Sequence, residues 1–145
     1  MLNMICPECG RQGQVVRDLT VESLVKEDNI REVAGKGSFY LCRESDCSVV
    51  YYNGERVYGT QALKVPVWFK EGAGEDSPIC YCAGITRREI RDAVASGRKT
   101  RAEIRNYTGK SRRSNCIRKN PAGRCCDQEF DEEIIRCRRM LNQDL

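Results

Sequence analysis

Histidine is absent from this 145-residue chain. Without imidazole, a bound metal must be held by sulfur, carboxylate, backbone or water, and catalysis by a histidine base is excluded. The sequence also lacks a phosphate-binding glycine loop and a nucleophile motif, which argues against an enzyme. We therefore expect a protein with no catalytic residues, in which thiolates bind any metal.

Long hydrophobic runs are missing as well. No stretch approaches the roughly 18 apolar residues that a membrane span requires. The opening residues, Met1 to Ile5, lack the charged start and the cleavage region of a secretory signal. We expect a cytoplasmic protein, because in that reducing compartment cysteines bind metals more often than they form disulfides.

Cysteine is the residue that the chain has in excess, with ten copies that fall mostly in close pairs. Unrelated buried thiols or a set of disulfides would be the simplest interpretation. The pairing favours metal sites instead, because thiolates two to five positions apart in a turn can reach one ion. The pairs are Cys6 and Cys9, Cys42 and Cys47, Cys80 and Cys82, and Cys125 and Cys126.

Charge divides the chain into two parts. Residues 1–78 carry 9 Lys and Arg against 12 Asp and Glu, whereas residues 79–145 carry 16 against 9. The change coincides with a glycine-rich acidic segment that ends in Pro78, which is typical of a linker. We predict a zinc-binding β-rich domain at 1–70, a linker at 71–78, and a helical cluster-binding domain at 79–145.

The first domain has the cysteine pattern of a structural zinc site. Cys6 and Cys9 form a C-x2-C knuckle, and Cys42 and Cys47 form a second, wider pair. Strand-like segments at 14–18, 38–41 and 48–52 flank the two pairs, as in a zinc ribbon. We predict that these four cysteines bind one zinc ion, with Asp46 as an alternative fourth ligand.

Copper is a second possibility at the first knuckle. Met4, Cys6 and Cys9 satisfy the M-x-C-x-x-C motif, and thioether and thiolate are the ligands that select Cu(I). In small copper chaperones that motif lies between a strand and a helix. Here a proline-containing knuckle and a second cysteine pair favour zinc.

The remaining patterns predict several short elements. A helix over 19–26 is expected with Thr20 as its cap, and alternating apolar residues at 63–69 predict an edge strand that contains Pro66. Capping boxes at Thr86 and Thr100 begin two further helices, and a last helix covers about 127–141. Trp68, Tyr58 and Cys137 are expected to be core residues or, for the aromatics, domain contacts.

The second domain has four thiolates from two loops, which is what a two-iron cluster needs. Its Cys80-Tyr-Cys82 motif, the helix that begins at Thr86, the helix that ends in Thr108-Gly109, and Cys116 resemble the helical fold of the bacterioferritin-associated ferredoxins. After Cys116 the usual C-x2-C is replaced by a longer segment that ends in Cys125 and Cys126. Joined to a zinc domain, this form resembles the N-terminal half of the CopZ-type copper chaperones.

The resemblance implies a cofactor and its ligands. A 2Fe-2S cluster would be bound by Cys80, Cys82, Cys116 and one of Cys125 and Cys126. Periodicity places Cys126 on the inward face of the last helix, which favours Cys126 slightly without deciding between the two. The resemblance thus predicts an α+β protein: a small zinc-ribbon-like antiparallel β domain followed by a small all-helical 2Fe-2S domain.

We predict an electron-transfer protein with one cluster and one structural zinc, associated with keeping or making Cu(I), copper itself being bound only transiently. Basic residues near the cluster loops would tune the cluster and attract an acidic redox or copper-transport protein. They are Arg87, Arg88, Lys110, Arg112, Arg113, Arg118, Lys119 and Arg124. The alternative is a zinc-ribbon protein that binds nucleic acid through its basic half, which the acidic first domain disfavours.

Overall fold

The computed structural model describes residues 4–26, 39–54, 56–110 and 116–143. Over these residues the fold is α+β, with an antiparallel sheet in the N-terminal part and mostly helices in the C-terminal part. The predicted fold class is therefore confirmed. The predicted strand start at Ser38 and the basic residues Arg112 and Arg113 lie outside the described ranges.

Four short strands form an antiparallel sheet in chain order. They are β1 (Gln14–Val16), β2 (Phe39–Leu41), β3 (Val49–Tyr52) and β4 (Val57–Gly59). The strands are rich in Val, Tyr and Phe, whose side chains pack well on a pleated surface. The strands predicted at 14–18, 38–41 and 48–52 are present and slightly shorter.

Helix α1 (Asp18–Leu24) lies where the sequence predicts a helix, but the predicted cap is wrong. Arg17 occupies the N-cap position and makes no side-chain capping bond. Thr20 lies within the first turn and is fully buried, and its hydroxyl donates to the Ile117 carbonyl at 2.6 Å. A contact with a residue far along the chain therefore replaces the predicted local one.

The edge strand predicted at 63–69 is also wrong. Leu63 forms one isolated bridge with Val25, and residues 64–69 form a bend, an irregular stretch and a turn. Pro66 has no N–H to offer to a neighbouring strand. Its carbonyl instead accepts the Tyr81 hydroxyl at 2.5 Å, and that hydroxyl accepts the Trp68 amide at 3.2 Å.

The C-terminal part begins with a two-stranded hairpin that the sequence does not predict. Its elements are β5 (Pro78–Cys80), β6 (Ile85–Thr86), α2 (Arg87–Ala95), α3 (Arg101–Thr108), α4 (Cys116–Lys119) and α5 (Asp127–Gln143). The hairpin turn contains Cys82, and α2 packs along α5. The helices thus surround the segments that carry the second group of cysteines.

The capping box predicted at Thr86 is confirmed, and at Thr100 the threonine caps the helix without the reciprocal bond from Glu103 to the Thr100 amide. The Thr86 hydroxyl accepts the Glu89 amide at 3.2 Å, and the Glu89 carboxylate accepts the Thr86 amide at 3.1 Å. Thr100 accepts the Glu103 amide at 3.2 Å in the same way at the start of α3. At the other end of α3, Gly109 has a φ of 71°, which glycine adopts without strain.

Buried side chains of the two parts form one continuous core. The cluster joins Val21 and Tyr51 from the N-terminal part to Ile79, Ile90 and Phe130 from the C-terminal part. The division at 71–78 stays a prediction, and each side of it packs against the other. Of the described residues, none belongs to a helix long and apolar enough to cross a bilayer.

Trp68, Tyr58 and Cys137 are buried as predicted, with 7%, 5% and 1% of their surface exposed. All three belong to the shared core cluster. Trp68 also makes edge contacts with Phe69 and Tyr81, at 5.0 and 6.0 Å between ring centroids. The aromatic residues before the predicted linker therefore pack against the cysteine hairpin that follows it.

Candidate metal centres

The four cysteines of the N-terminal part lie together. Their Sγ atoms are all within 4.8 Å of one another. The Sγ atoms of Cys6 and Cys47 are 3.8 Å apart, and those of Cys9 and Cys42 are 3.7 Å apart. Two thiolates at about 2.3 Å from one tetrahedral zinc ion lie about 3.8 Å from each other, so this sulfur set fits one zinc ion.

Local backbone bonds shape both knuckles. The Cys6 carbonyl accepts the Gly10 amide at 2.9 Å, and the Cys6 amide donates to the Arg11 carbonyl at 2.9 Å. In the second pair, the Cys42 amide donates to the Val50 carbonyl at 2.8 Å, which ties this knuckle to β3. Asp46, the alternative ligand, is exposed and is not part of the sulfur group.

Charged side chains hold the two knuckles in place. Lys70 is 95% buried, since only 5% of its surface is exposed, and its Nζ donates to the Glu44 carbonyl at 2.7 Å. The Glu44 carboxylate pairs with Arg11 of the first knuckle at 2.5 Å. The ammonium group of Lys70 offsets part of the negative charge that four thiolates would bring to a buried site.

Burial affects how these thiols ionise. Burial raises the pKa of Cys42 to about 12 and also raises the pKa of Cys47. Burial acts on Cys6 too, but hydrogen bonds from the Cys9 and Glu8 amides outweigh it and leave the pKa of Cys6 lowered. Because a metal binds the thiolate, binding here releases protons, and we expect zinc affinity to fall as the pH falls.

The second group of cysteines comes from three separate segments. Cys80 ends β5, Cys82 lies in the hairpin turn, Cys116 begins α4, and Cys126 directly precedes α5. The Cys126 carbonyl accepts the Phe130 amide at 2.8 Å, so Cys126 has the position of an N-cap. Tertiary packing is therefore needed to bring the four residues together.

The sulfurs of this second group form a chain of contacts. The Sγ atoms of Cys80 and Cys82 are 3.9 Å apart, and those of Cys82 and Cys116 are 4.0 Å apart. Cys126 lies near enough to Cys80, at the other end, for each thiol to shift the pKa of the other. Among the described residues, only the N-terminal cysteines form a compact group around one point. An extended set of four thiols fits a two-metal cluster better than a single ion.

The pKa values of Cys80 and Cys126 shift in opposite directions. The hydrogen bond from Cys126 lowers the pKa of Cys80 to about 5, while the same bond raises the pKa of Cys126 above its usual range. Cys80 is fully buried and Cys126 is 2% exposed. Cys125 is only partly buried. The inward position predicted for Cys126 is thus confirmed, and its role as the fourth ligand stays a prediction.

Of the six described basic residues predicted to surround the cluster loops, Arg87, Arg88, Lys110 and Arg124 form ion pairs. Arg88 pairs with Asp76 at 3.1 Å, and Arg124 pairs with Glu129 at 2.7 Å. Arg87 donates to the Trp68 carbonyl at 2.7 Å. Arg118 and Lys119, the two basic residues of α4, are exposed. The basic surface beside the cysteines is therefore smaller than the composition suggests.

Lys110 lies against the cysteine hairpin. Its Nζ donates to the Gly84 carbonyl at 2.8 Å and to the Glu89 carboxylate at 2.7 Å. Burial raises the pKa of Glu89, but the bonds from Lys110 and Thr86 outweigh that effect and leave the pKa lowered. Lys110 thereby joins the hairpin turn to the capping box of α2.

Arg105 is a candidate functional residue that the sequence interpretation missed. Its guanidinium lies over the Phe130 ring at 5.4 Å and is 3.7 Å from the Asp127 carboxylate. Its Nε atom is buried without a hydrogen-bond partner among the described atoms, whereas Nη2 is the atom that faces Asp127. The positive charge of Arg105 also lowers the pKa of Cys80. An orphaned donor beside buried thiols suits an anionic cluster, and only its position in α3 relative to Cys80 could have indicated it.

Comparisons with known proteins agree with both sulfur groups. Residues 3–64 match a family model described as a zinc binding domain, of the CopZ type. Residues 78–118 match a model described as a BFD-like [2Fe-2S] binding domain. The second match ends before Cys125 and Cys126, and so it does not bear on the choice between them.

Two similar proteins cover most of the chain. A curated copper chaperone, CopZ of Archaeoglobus fulgidus, is 39% identical over 124 residues, which are 85% of this chain and 58% of that protein. The X-ray structure of the N-terminal domain of CopZ from the same organism has a TM-score of 0.75 and 35% identity, and the match covers 89% of this chain and 96% of that domain.

Proposed function

This chain belongs to the CopZ family, and on that premise we propose that it is a metal-handling protein with one zinc ion, one 2Fe-2S cluster and a redox role in copper handling. The chain spans 58% of the length of the curated relative, so a role in copper handling like that of the whole relative is proposed for this chain and not inferred from the match alone. The proposed zinc ligands are Cys6, Cys9, Cys42 and Cys47. The proposed cluster ligands are Cys80, Cys82, Cys116 and Cys126.

One observation carries this proposal: the chain holds two sulfur groups of different shape. Four thiols within 4.8 Å of one another suit a single tetrahedral ion. The second group runs as a chain of sulfurs about as far apart as two ligands of one metal, which suits two metals side by side. Two copies of one kind of site would not explain the difference.

When bound, a 2Fe-2S cluster supplies one-electron transfer, the chemistry that converts Cu(II) into Cu(I). The residues of this chain set the conditions for it. Cys80 and Cys126 are nearly excluded from water, whereas Cys116 is partly exposed. Arg105 and Lys110 bring positive charge to the cysteine hairpin, and positive charge favours the more negative, reduced state. The partly exposed side at Cys116 is the side on which we expect electrons to enter and leave.

The proposed partner is an acidic redox or copper-transport protein. Arg118 and Lys119 are exposed and lie on α4, two and three residues after the partly exposed Cys116. Opposite charge on a partner would speed its approach to this side, and salt would weaken that effect. We propose a cytoplasmic location, since the thiolate ligands need a reducing compartment.

An anaerobic visible spectrum with elemental analysis of the same sample tests the proposal. We expect about one zinc and about two irons per chain, with sulfur-to-iron absorption that dithionite bleaches. Loaded protein that has been reduced and freed of dithionite, mixed with Cu(II) and a Cu(I)-specific chelator, should then yield Cu(I), and loaded protein with its cluster oxidised is the control. A colourless zinc protein that iron and sulfide cannot reconstitute, but that binds mixed-sequence DNA, would favour nucleic-acid binding instead.

A further inference from the structure

The segment between Cys116 and Cys126 lies against the N-terminal part of the molecule. The Thr20 hydroxyl donates to the Ile117 carbonyl at 2.6 Å, and the Tyr51 hydroxyl donates to the Pro121 carbonyl at 2.5 Å. The Gln14 amide donates to the Ala122 carbonyl at 3.4 Å. Three backbone carbonyls between two proposed cluster ligands are therefore satisfied by side chains of the zinc-binding part.

These contacts leave little room for another arrangement. Thr20 and Tyr51 are fully buried, so water cannot replace either hydroxyl without a change in packing. Gly123 has a φ of 69°, and a Cβ at this position would come within 2.7 Å of the Thr20 hydroxyl. Only glycine lets the chain pass so close to α1 in this conformation. The segment is thus fitted to the surface that α1 and β3 provide.

The same surface is tied to the zinc-binding knuckle. Tyr51 is in β3, which begins two residues after Cys47. The Cys42 amide donates to the Val50 carbonyl at 2.8 Å, so the residue before Tyr51 is bonded directly to a proposed zinc ligand. A loss of order in this knuckle would therefore disturb β3 and, with it, the position of the Tyr51 hydroxyl that bonds to the Pro121 carbonyl.

A second chain of contacts links the knuckle to the other two cluster cysteines. The guanidinium of Arg43, next to Cys42, lies 4.6 Å from the ring centroid of Phe69 and 5.8 Å from that of Trp68. The Trp68 amide donates to the Tyr81 hydroxyl at 3.2 Å. Tyr81 lies between Cys80 and Cys82, so both halves of the cluster site contact elements that the knuckle organises.

We propose that Thr20 and Tyr51 are positioning residues for the cluster, and that through them zinc binding and cluster binding strengthen each other. This inference rests on the ligand sets of the proposed function. Zinc would order the knuckle and β3, and Tyr51 would then hold the segment between Cys116 and Cys126 in the form that the cluster requires. Linkage makes the effect mutual: a bound cluster must raise zinc affinity by the same factor.

The first test measures iron release to a chelator from anaerobic, fully loaded protein. We expect Thr20→Val and Tyr51→Phe each to speed iron release about tenfold, because each leaves a buried carbonyl without its donor. Thr20→Ser keeps the hydroxyl and should release iron at nearly the wild-type rate. Tyr40→Phe removes a hydroxyl from the neighbouring strand β2 and serves as the matched control. Wild-type release rates in Thr20→Val and Tyr51→Phe would overturn the proposal.

The second test measures the coupling itself. Zinc affinity is determined by competition with a chelator, in wild-type protein with and without its cluster. We expect loaded protein to bind zinc about tenfold more tightly, and the difference to shrink towards none in Tyr51→Phe. Equal affinities in the two wild-type samples, or an unchanged difference in Tyr51→Phe, would refute the coupling. A wild-type protein that never takes up iron would instead refute the proposed function, so the two failures are distinguishable.

Discussion

The two metal centres are built in different ways from the same ligand, cysteine. Each knuckle of the N-terminal centre is closed by bonds between residues a few positions apart, such as that between Gly10 and Cys6. The C-terminal centre takes its thiols from a hairpin turn, the start of α4 and the N-cap of α5. A site of the first kind depends mainly on its own turns. A site of the second kind depends on everything that packs those segments together, and we expect it to be the more easily disturbed.

The largest expected effect is on the N-terminal centre. Cys42→Ser should abolish zinc binding and disorder the sheet, because zinc binding contributes on the order of 10 kcal/mol to folding in small thiolate sites. Elemental analysis and circular dichroism would show both losses. Cys137→Ala is the matched control, since Cys137 is equally buried and belongs to neither sulfur group. A zinc-loaded, folded Cys42→Ser protein would contradict the ligand assignment.

The next prediction concerns the adjacent cysteines at the C-terminal centre. We expect Cys126→Ser to lose most of its visible absorption and iron, whereas Cys125→Ser keeps both. Cys126 is the buried one and bonds to Cys80, and serine is a good N-cap, so α5 should begin normally in either variant. Iron analysis after anaerobic reconstitution provides the measurement. The reverse result would make Cys125 the fourth ligand.

A smaller effect is expected from the charge beside the thiols. Arg105→Gln should lower the midpoint potential by about 40 mV, which corresponds to about 1 kcal/mol for one electron, because reduction adds negative charge near this cation. Arg105→Lys should restore most of the potential, because it restores the charge. Arg98→Gln is the control, since it removes the same charge from an arginine that contacts Tyr107 and the Ser96 carbonyl. Equal potentials in Arg105→Gln and wild type would remove Arg105 from the proposed role.

The smallest expected effect is on stability, and it compares the N-cap of α2, beside the cysteine hairpin, with the N-cap of α3. Thr86→Ala should lower the free energy of unfolding by about 1 kcal/mol, because the Glu89 amide loses its acceptor, the Thr86 hydroxyl, beside the cysteine hairpin. Thr100→Ala loses a cap in an exposed position and should cost less. Thermal unfolding of loaded protein compares the two variants. A larger loss in Thr100→Ala would mean that the hairpin does not depend on the start of α2.

Features coded by neighbouring residues could be predicted from the sequence. The knuckle at Cys6 and Cys9 and the helix caps at Thr86 and Thr100 each need only a few consecutive positions. The inward position of Cys126 followed from helical periodicity, since Phe130 lies one turn further on. In each case the residues that decide the structure are adjacent in the sequence.

Features that depend on distant residues could not be predicted in this way. Threonine is a residue type that often caps helices, but the Thr20 hydroxyl donates a hydrogen bond to the carbonyl of Ile117, which is 97 positions away. The segment at 63–69 has the alternating apolar residues of a strand, yet the Pro66 carbonyl and the Trp68 amide form hydrogen bonds with the Tyr81 hydroxyl. Arg105 resembles any other arginine of a helix until α3 is packed beside Cys80. A single sequence contains no signal for such pairs.

Tyr81 shows what this arrangement means for the modularity of the chain. Tyr81 lies in the hairpin turn between Cys80 and Cys82, whose Sγ atoms are 3.9 Å apart. Its hydroxyl is bonded to Pro66 and Trp68, both of which precede the predicted linker. The residue between two proposed cluster ligands therefore depends on hydrogen bonds with residues outside the predicted cluster domain. If the C-terminal part were moved into another protein without residues 66–68, position 81 would have to be redesigned, because the Tyr81 hydroxyl would lose both hydrogen-bond partners.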